Sequence, residues 1–269
     1  MFAIARRMVH DKIKSFAIYS ASAVGFLEMY IVLFPMIKKQ SEQFDQLMKA
    51  FPPEFFKAMN MDAASFSFSS LQSYLSTEYM SFLWPILAII FTLAIANYII
   101  VNEVDKGTSE TLFSLPIKRT KLFLSRYFAG LLLIAVFTAL SILTVIPLAM
   151  IHGIDFIAAN YFTALVGSLL FIWAIYSLAV LFSAIFSDKG KATMASGGVL
   201  IVMYFLNIIS SLKDSLVNLK YASFFNYFNA SSLMAKNAYP EYSVIVLAGF
   251  AIIASVIALI WFNRRDLSV

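Results

Sequence analysis

The sequence predicts an all-α membrane protein, a single transmembrane domain over residues 1–269 that crosses the bilayer six times. Of its 269 residues, 61% are hydrophobic and only 13% are charged, and the mean hydropathy is +0.82. A soluble domain is roughly 45–50% apolar and about 25% charged, and a fold of this size leaves much of its surface in water. The composition therefore excludes a soluble enzyme and a disordered chain, and it indicates a polytopic membrane protein.

Six apolar stretches are long enough to cross a bilayer, which requires about 20 residues per helix. The predicted spans are 16–37, 79–101, 122–150, 160–186, 192–212 and 242–262. The first is longer than the apolar core of a signal peptide and contains Glu28, so we expect it to be retained. Arg126 lies one turn inside the third span, and we expect its side chain to extend toward the membrane surface.

The basic residues set the predicted orientation. Thirteen of the 20 Lys and Arg residues fall in segments on the same side as the N-terminus, and an excess of Lys and Arg marks the cytoplasmic side. We therefore expect both termini in the cytoplasm of a cell membrane, with segments 38–78 and 213–241 outside. The net charge of +5 reflects this topology. The sequence lacks the basic stripe interleaved with aromatic residues that would indicate nucleic-acid binding.

Three segments outside the spans carry further patterns. In 1–15 the apolar residues fall near one helical face, which predicts an interfacial helix; the alternative is a plain basic flank. In 38–78, apolar residues at positions 44, 47, 48 and 51 predict short outer helices, and an apolar loop on the bilayer surface is the alternative. The aromatic residues of 213–241 predict a half-inserted helix pair before the last span.

The segment 103–121, between the second and third spans, is the most informative part of the chain. Gly107 allows a sharp turn, Glu110 suits the first turn of a helix, and Pro116 ends that helix. The apolar edge and the basic residues that follow it are Leu112, Phe113, Leu115, Lys118 and Arg119. The pattern predicts a short helix lying crosswise on the cytoplasmic face, and a surface turn is the alternative.

Motifs for catalysis or nucleotide binding are missing from the sequence. It has no cysteine, no GxxxxGK[ST] phosphate loop and no HExxH motif. The two histidines, His10 and His152, are predicted on opposite sides of the membrane as surface residues. We therefore expect no catalytic residue, no metal site and no cofactor on this chain.

Three polar side chains inside the predicted spans are candidates for a pathway or a subunit interface: Glu28, Asn97 and Asn207. A charge at the bilayer centre costs about 2.5–3.5 kcal/mol on insertion scales, so Glu28 should face protein or water. The alternatives are a protonated Glu28 that is hydrogen-bonded in the bundle, or a position near the outer surface. For the two asparagines the alternative is a packing role between helices.

Residues 103–126 resemble the permeases of the ABC-2 (type V) exporter family. In that family an acidic residue after the second span is followed by Gly-Thr, Glu, a leucine-rich run, Pro and a basic pair. The matching residues are Glu103, Gly107, Thr108, Glu110, Leu112, Leu115, Pro116, Arg119 and Lys121. The aromatic run 223–228 and the closing run 262–267 are also similar to the family, although Phe225 stands where the family often has proline.

The resemblance implies the membrane subunit of an ATP-driven exporter. Segment 103–121 would be the coupling helix, resting in a groove of a separate cytoplasmic ATPase subunit that binds ATP and Mg. Its apolar contacts would come from Leu112, Phe113 and Leu115, and its orientation from Glu110, Lys118 and Arg119. A second permease chain would complete the transporter.

The transported substrate and the choice between homodimer and heterodimer are left open by the sequence. A secondary carrier is one alternative function, but the chain lacks clear repeated halves and has little intramembrane charge. An intramembrane enzyme is the other alternative, but the chain lacks a recognisable nucleophile or metal set.

Overall fold

The computed structural model describes residues 2–41, 43, 51–52, 68–105, 107 and 117–265. These parts of the chain are helical and contain no strand, and six of their helices are long and apolar enough to cross a membrane. We call them spans 1 to 6: Phe2–Lys39, Leu71–Asn97, Arg119–Ile151, Ala158–Ile185, Lys189–Leu212 and Ser243–Arg264. The predicted fold class, an all-helical protein with six spans, is confirmed.

Spans 2 and 3 are built from joined helices, and shorter helices connect some of the spans. Span 2 consists of the α-helix Leu71–Leu75, the π-helix Ser76–Leu83 and the α-helix Trp84–Asn97. Span 3 consists of Arg119–Leu143 and Val145–Ile151. The shorter helices are the α-helix Val101–Asp105, the 3-10 helices Asp214–Ala222 and Phe224–Tyr227, and the π-helix Ser231–Ala235.

Span 4 is the central helix of the bundle and packs against spans 2, 3, 5 and 6. In its most apolar stretch 61% of the residues are buried, whereas the share is 22% for spans 1 and 5. Small buried residues allow neighbouring helices to approach it closely: Ala164, Gly167, Ala174, Ser177, Ala179 and Ala184. Spans 1 and 5 therefore present most of their side chains to the surroundings of the bundle.

Span 2 begins at Leu71, eight residues before its predicted start at residue 79. The Ser70 side chain caps the helix by accepting a hydrogen bond from the backbone N–H of its first turn, at 3.2 Å. The added turns are buried, and the Tyr74 ring packs on Phe34 of span 1 with 5.5 Å between centroids. The predicted boundary is wrong because serines lower the hydropathy of turns that pack inside the bundle.

Pro85 explains the π-helix in span 2, because proline lacks an N–H and clashes with the carbonyl four residues earlier. One residue before it, the backbone N–H of Trp84 donates to the carbonyl oxygen of Tyr79, five residues earlier. Both side chains point into the bundle. The Tyr79 hydroxyl donates to the Ser141 carbonyl at 3.1 Å, and Trp84 Nε1 donates to Ser141 Oγ at 2.7 Å, which ties span 2 to span 3.

Span 1 is one continuous helix, so the predicted interfacial segment 1–15 and the predicted span 16–37 are joined without a break. Its first turns contact the first half of span 3 and the end of span 2. Met8 is buried against span 3, and the Asp11 carboxylate accepts a hydrogen bond from the Tyr98 hydroxyl, just beyond span 2. The interfacial position of residues 1–15 stays a prediction.

The bundle has two ends, which we name after a residue found at each. The Glu103 end contains the start of span 1, the end of span 2, the start of span 3 and Arg265, which binds the carbonyl oxygens of Ala184 and Phe186. The His152 end contains the later turns of span 1, the start of span 2 and the loop between spans 3 and 4. The assignment of the Glu103 end to the cytoplasm stays a prediction.

The segment 213–241 folds back into the bundle from the His152 end. Phe228 stacks on Phe171 of span 4 with 4.4 Å between ring centroids, near the middle of that helix. The chain then returns, and Asn160 Nδ2 donates to the Met234 carbonyl at 2.8 Å. The segment is thus inserted into the bundle, and its insertion into the bilayer stays a prediction. It is built from 3-10 and π turns and not from a helix pair, because its rings pack on spans 2, 4, 5 and 6.

Candidate functional site

The predicted coupling segment 103–121 starts at a buried ion pair. Arg126 Nη2 of span 3 lies 3.0 Å from Glu103 Oε1 in the helix Val101–Asp105, with side-chain exposures of 7% and 19%. Arg126 Nη1 also donates to the Ile99 carbonyl at 2.9 Å. That carbonyl belongs to the turn that ends span 2, where a helix carries partial negative charge. The guanidinium therefore compensates both the carboxylate and the exposed end of span 2.

The Arg126 side chain is buried in protein, and its guanidinium lies 5.5 Å from the centre of the Tyr98 ring. A carboxylate, backbone carbonyls and an aromatic face together satisfy its charge. Its position relative to the membrane surface stays a prediction. Glu103 and Arg126 were each identified in the sequence, but their pairing across 23 residues leaves no local sequence signal.

Further bonds tie the beginning of the segment to spans 4 and 5. The backbone N–H of Val101 donates to Ser183 Oγ of span 4 at 3.1 Å. The Asp105 carboxylate accepts a bond from the backbone N–H of Lys189, the first residue of span 5, at 3.3 Å. Asn97, a predicted pathway or interface residue, is buried and donates to Thr193 Oγ1 of span 5 at 2.8 Å. Asn97 thus joins two spans near the segment.

The end of the segment is bound to the C-terminal region. Arg119 Nη1 donates to the backbone carbonyl of Arg265 at 2.7 Å, and Asn263 Nδ2 donates to Thr120 Oγ1 at 3.1 Å. Arg265 Nη1 in turn donates to the Ala184 carbonyl, at 2.7 Å. Desolvation by burial lowers the pKa of the Arg265 guanidinium from its ordinary value. The start of span 3 is therefore linked to the ends of spans 4 and 6.

Between these two attachments, the central residues of the segment lie outside the described residues: Glu110, Leu112, Phe113, Leu115 and Pro116. Gly107 has a φ of +67°, in the left-handed region that favours glycine, so the sharp turn is present. Lys118 is exposed and has extended backbone, with φ −59° and ψ 134°, directly before span 3. The predicted crosswise helix stays a prediction.

An apolar cavity of about 430 Å³ lies between spans 2 and 5 and the inserted aromatic segment. It is lined by Ser81, Phe82, Pro85, Ile86, Ile89, Ile90, Gly197, Leu200, Ile201, Tyr204, Phe225, Phe228 and Ala230. None of these side chains is charged, and the Ser81 hydroxyl donates within its own helix to the Ser76 carbonyl at 2.7 Å. The cavity therefore suits an apolar or amphiphilic molecule and not an ion.

Glu28 and Asn207, the other two candidate pathway residues, do not line this cavity. Glu28 Oε1 lies 2.8 Å from His152 Nε2, and the two side chains are 39% and 31% exposed. Glu28 is thus partly exposed and bonded to His152, and its position relative to the bilayer stays a prediction. Asn207 is buried on span 5, one turn beyond the cavity-lining Tyr204, and its Nδ2 has no hydrogen-bond partner among the described residues.

Sequence reasoning missed a polar network among spans 3, 4 and 6. The Tyr127 hydroxyl lies 3.0 Å from Ser177 Oγ and 2.7 Å from Ser255 Oγ, and it accepts a bond from Trp173 Nε1 at 2.8 Å. The Tyr176 hydroxyl donates to the Tyr127 carbonyl at 2.9 Å. Single polar residues on three separate helices give no pattern that sequence analysis could detect. The network fixes spans 3, 4 and 6 to one another beside Arg126.

Comparison with known protein families gives one result that covers nearly the whole chain. A family model described as "ABC-2 family transporter protein" matches residues 3–267. A search of curated proteins gives no match. Within the described residues, no group of three or more His, Cys, Asp or Glu side chains is arranged to hold a metal ion.

Proposed function

The chain belongs to the ABC-2 family of transporter proteins, and from this premise we propose that it is the permease subunit of an ATP-driven exporter. ATP and Mg bind a separate cytoplasmic ATPase subunit, and segment 103–121 is the contact through which that subunit acts. Two permease chains and two ATPase subunits form the working transporter. The protein lies in the cell membrane with both termini in the cytoplasm.

The observation that carries this proposal is the attachment of segment 103–121 at both of its ends. Its start is bound to span 3 through the Glu103–Arg126 pair and to span 4 through Ser183. Its end is bound through Arg119 to the carbonyl of Arg265. A displacement of the middle of the segment would therefore be transmitted to several spans, which is what a coupling element requires.

The bonds around the attachments form two groups. Spans 3, 4 and 6 are held together by the polar network of Tyr127 and by Arg265. The end of span 2 and the start of span 5 are held together by Asn97 and Thr193. The Glu103–Arg126 pair joins the two groups at the segment itself, so pressure on the segment would act on both groups and on the apolar cavity that spans 2 and 5 border.

The cavity between spans 2 and 5 forms part of the transport path in this proposal. Its lining is uncharged, and Ile201 and Tyr204 of span 5 are 59% and 37% exposed, so it opens toward the surroundings of the bundle. The second permease chain would close this side and complete the path. Repacking of spans 2 and 5 would then change the access to the cavity.

The coupling contact is tested by replacing Leu112 and Phe113 together with Asp and measuring the ATPase that copurifies with the chain. Burying each of two such side chains contributes about 1.5–3 kcal/mol, so we expect association to weaken at least about 100-fold. The matched control replaces Leu216 and Val217 with Asp, because these are adjacent, exposed apolar residues at the opposite end of the bundle.

The control variant should keep the ATPase bound and should transport as the unchanged protein does. If the Leu112→Asp, Phe113→Asp variant retains both the ATPase and ATP-dependent transport, the segment is not the coupling element. If the purified chain moves a solute along an ion gradient with no ATPase present, the protein is a secondary carrier.

A further inference from the structure

The first turns of span 1 and the adjacent turns of span 3 form a groove of about 510 Å³ near the Glu103 end. Its walls are apolar except for one guanidinium, and they consist of Phe2, Ala3, Ala5, Arg6, Val9, Ala129 and Leu132. Phe2 is 93% exposed and Leu132 is 60% exposed. An open apolar groove with a single cationic side chain is suited to an amphiphile and not to a water-soluble ligand.

The groove places its charged residue and its apolar residues at the depths that the headgroup and the acyl chains of a lipid occupy. Arg126 marks a level at which charged groups of spans 2 and 3 are held together. Ala129 and Leu132 lie three and six residues further along the same helix, which at about 1.5 Å per residue is roughly 5 and 9 Å deeper. The apolar floor therefore lies on the bilayer side of this level, while the long side chain of Arg6 can extend toward the surface.

The charge around the groove favours an anion. Exposed basic side chains cluster on the first turns of span 1: Arg6, Arg7 and Lys14. The one acidic residue of this stretch, Asp11, accepts a bond from Tyr98 and lies 3.9 Å from Arg7 Nε. Arg7 remains 81% exposed. Arg6 lines the groove and Arg7 follows it in the chain, and guanidinium groups are planar donors that bind phosphate oxygens in pairs.

We propose that this groove binds an acidic phospholipid, with its phosphate on Arg6 and Arg7 and one acyl chain along Ala129 and Leu132. The site uses only the membrane-spanning fold, so it does not depend on the proposed function. The groove is connected to the Glu103–Arg126 pair through Tyr98. The Tyr98 hydroxyl bonds to Asp11 of span 1, and the Tyr98 ring faces Arg126. A bound acidic lipid therefore holds the start of span 1 against span 3.

The test measures lipid retention by native mass spectrometry of the purified full chain, with phosphatidylglycerol and phosphatidylcholine of the same acyl chains. We expect tighter binding of phosphatidylglycerol. Each basic residue near an anionic surface contributes about fivefold in affinity, so the double variant Arg6→Gln, Arg7→Gln should lose roughly 30-fold of the preference. The variant Arg6→Lys, Arg7→Lys keeps both charges and should retain most of it.

The matched control is Lys38→Gln, Lys39→Gln, which removes the same charge from the other end of the same helix and should leave the preference unchanged. Leu132→Gln, at an exposed position, leaves every basic residue in place and should weaken lipid retention. This variant tests the groove if the variant of Arg6 and Arg7 does not fold. Glycerol 3-phosphate, a headgroup without acyl chains, should not displace the lipid. The proposal is overturned if the unchanged protein shows no preference for phosphatidylglycerol. It is also overturned if the glutamine and lysine variants of Arg6 and Arg7 lose the preference equally, or if glycerol 3-phosphate displaces the bound lipid.

Discussion

At the scale of single residues, the bundle joins its helices through a few polar side chains that each make several bonds. Arg126 binds a carboxylate and backbone carbonyls at once, and the Tyr127 hydroxyl contacts two serines on two other spans. In an apolar environment such groups are costly unless they are satisfied. Their bonds to several spans therefore specify which helices lie together, where apolar packing alone would permit several arrangements.

Gly130 of span 3 lies where three buried side chains from other helices meet. A Cβ at this position would stand 2.3 Å from the Tyr176 hydroxyl oxygen, 3.0 Å from Ile95 and 3.1 Å from Met8. The Tyr176 side chain is completely buried and its hydroxyl is bonded to the Tyr127 carbonyl, so it cannot move aside without losing that bond. Glycine is thus required here by close packing and not by a turn.

We expect Gly130→Ala to lower the free energy of unfolding by about 1–2 kcal/mol, because overpacking exceeds the gain in helix propensity. The measurement is an unfolding titration with sodium dodecyl sulfate in mild detergent micelles. Gly25→Ala in span 1 is the control, since nothing lies within 4 Å of its added Cβ, and it should stabilise by up to about 1 kcal/mol. Equal stability of the two variants would contradict the packing argument.

At the scale of elements, the chain end after span 6 acts as a connector. Arg265 bonds with its side chain to the carbonyls of Ala184 and Phe186 at the end of span 4, and its own carbonyl accepts a bond from Arg119 of span 3. The preceding residue, Arg264, is exposed in the last turn of span 6. Two adjacent arginines thus have different surroundings, which allows a matched comparison.

Replacing Arg265 with Ala should lower the free energy of unfolding by about 1–2 kcal/mol, because charge-assisted bonds to carbonyls are lost at a partly buried site. It should also reduce the ATPase that copurifies, since the backbone carbonyl of residue 265, which binds Arg119, is then no longer held in place by the bonds of the Arg265 side chain. Arg264→Ala removes the same charge and should change neither quantity by much. If both variants behave alike in the unfolding titration and in copurification, the connector role of Arg265 is wrong.

The spans themselves could be predicted because the bilayer imposes a length and an apolar composition on each helix. The start of span 2 could not, since residues 71–78 are polar enough to resemble a loop and become buried only through contacts such as Tyr74 on Phe34. The path of segment 224–235 was also beyond sequence reasoning. Its backbone follows rings that pack on four different spans, and those contacts are far apart along the chain.

The candidate site was predictable in its composition and not in its geometry. The segment 103–121 stood out because charges, glycine and proline bracket an apolar edge. Its attachments to Arg126, Ser183 and Arg265 depend on residues 23 to 146 positions away. Single-sequence patterns report neighbours within a few turns, so they cannot identify partners on another span.

At the scale of the whole molecule, the apolar cavity is formed by parts of the chain that meet only in the folded bundle. Span 2 contributes the wall from Ser81 to Ile90, span 5 contributes Gly197 to Tyr204, and the inserted segment closes it with Phe225 and Phe228. Gly197 leaves space in this wall, because no atom of the described part of the chain lies within 4 Å of a Cβ added there. The cavity can therefore be filled without disturbing a packed contact.

We expect Gly197→Leu to fill part of the cavity and to reduce photolabelling of Ile201 and Tyr204 by adamantyl diazirine, an apolar probe. If occlusion removes about 1.4 kcal/mol of probe binding, labelling falls about tenfold. Gly249→Leu in span 6 is the control, since it also adds a leucine to a helical glycine with open space around it, away from the cavity. Both changes raise helix propensity equally, so a difference between them in labelling reports the cavity. Undiminished labelling in Gly197→Leu would show that the probe reaches these residues from the lipid side, and the cavity would then not be a binding space.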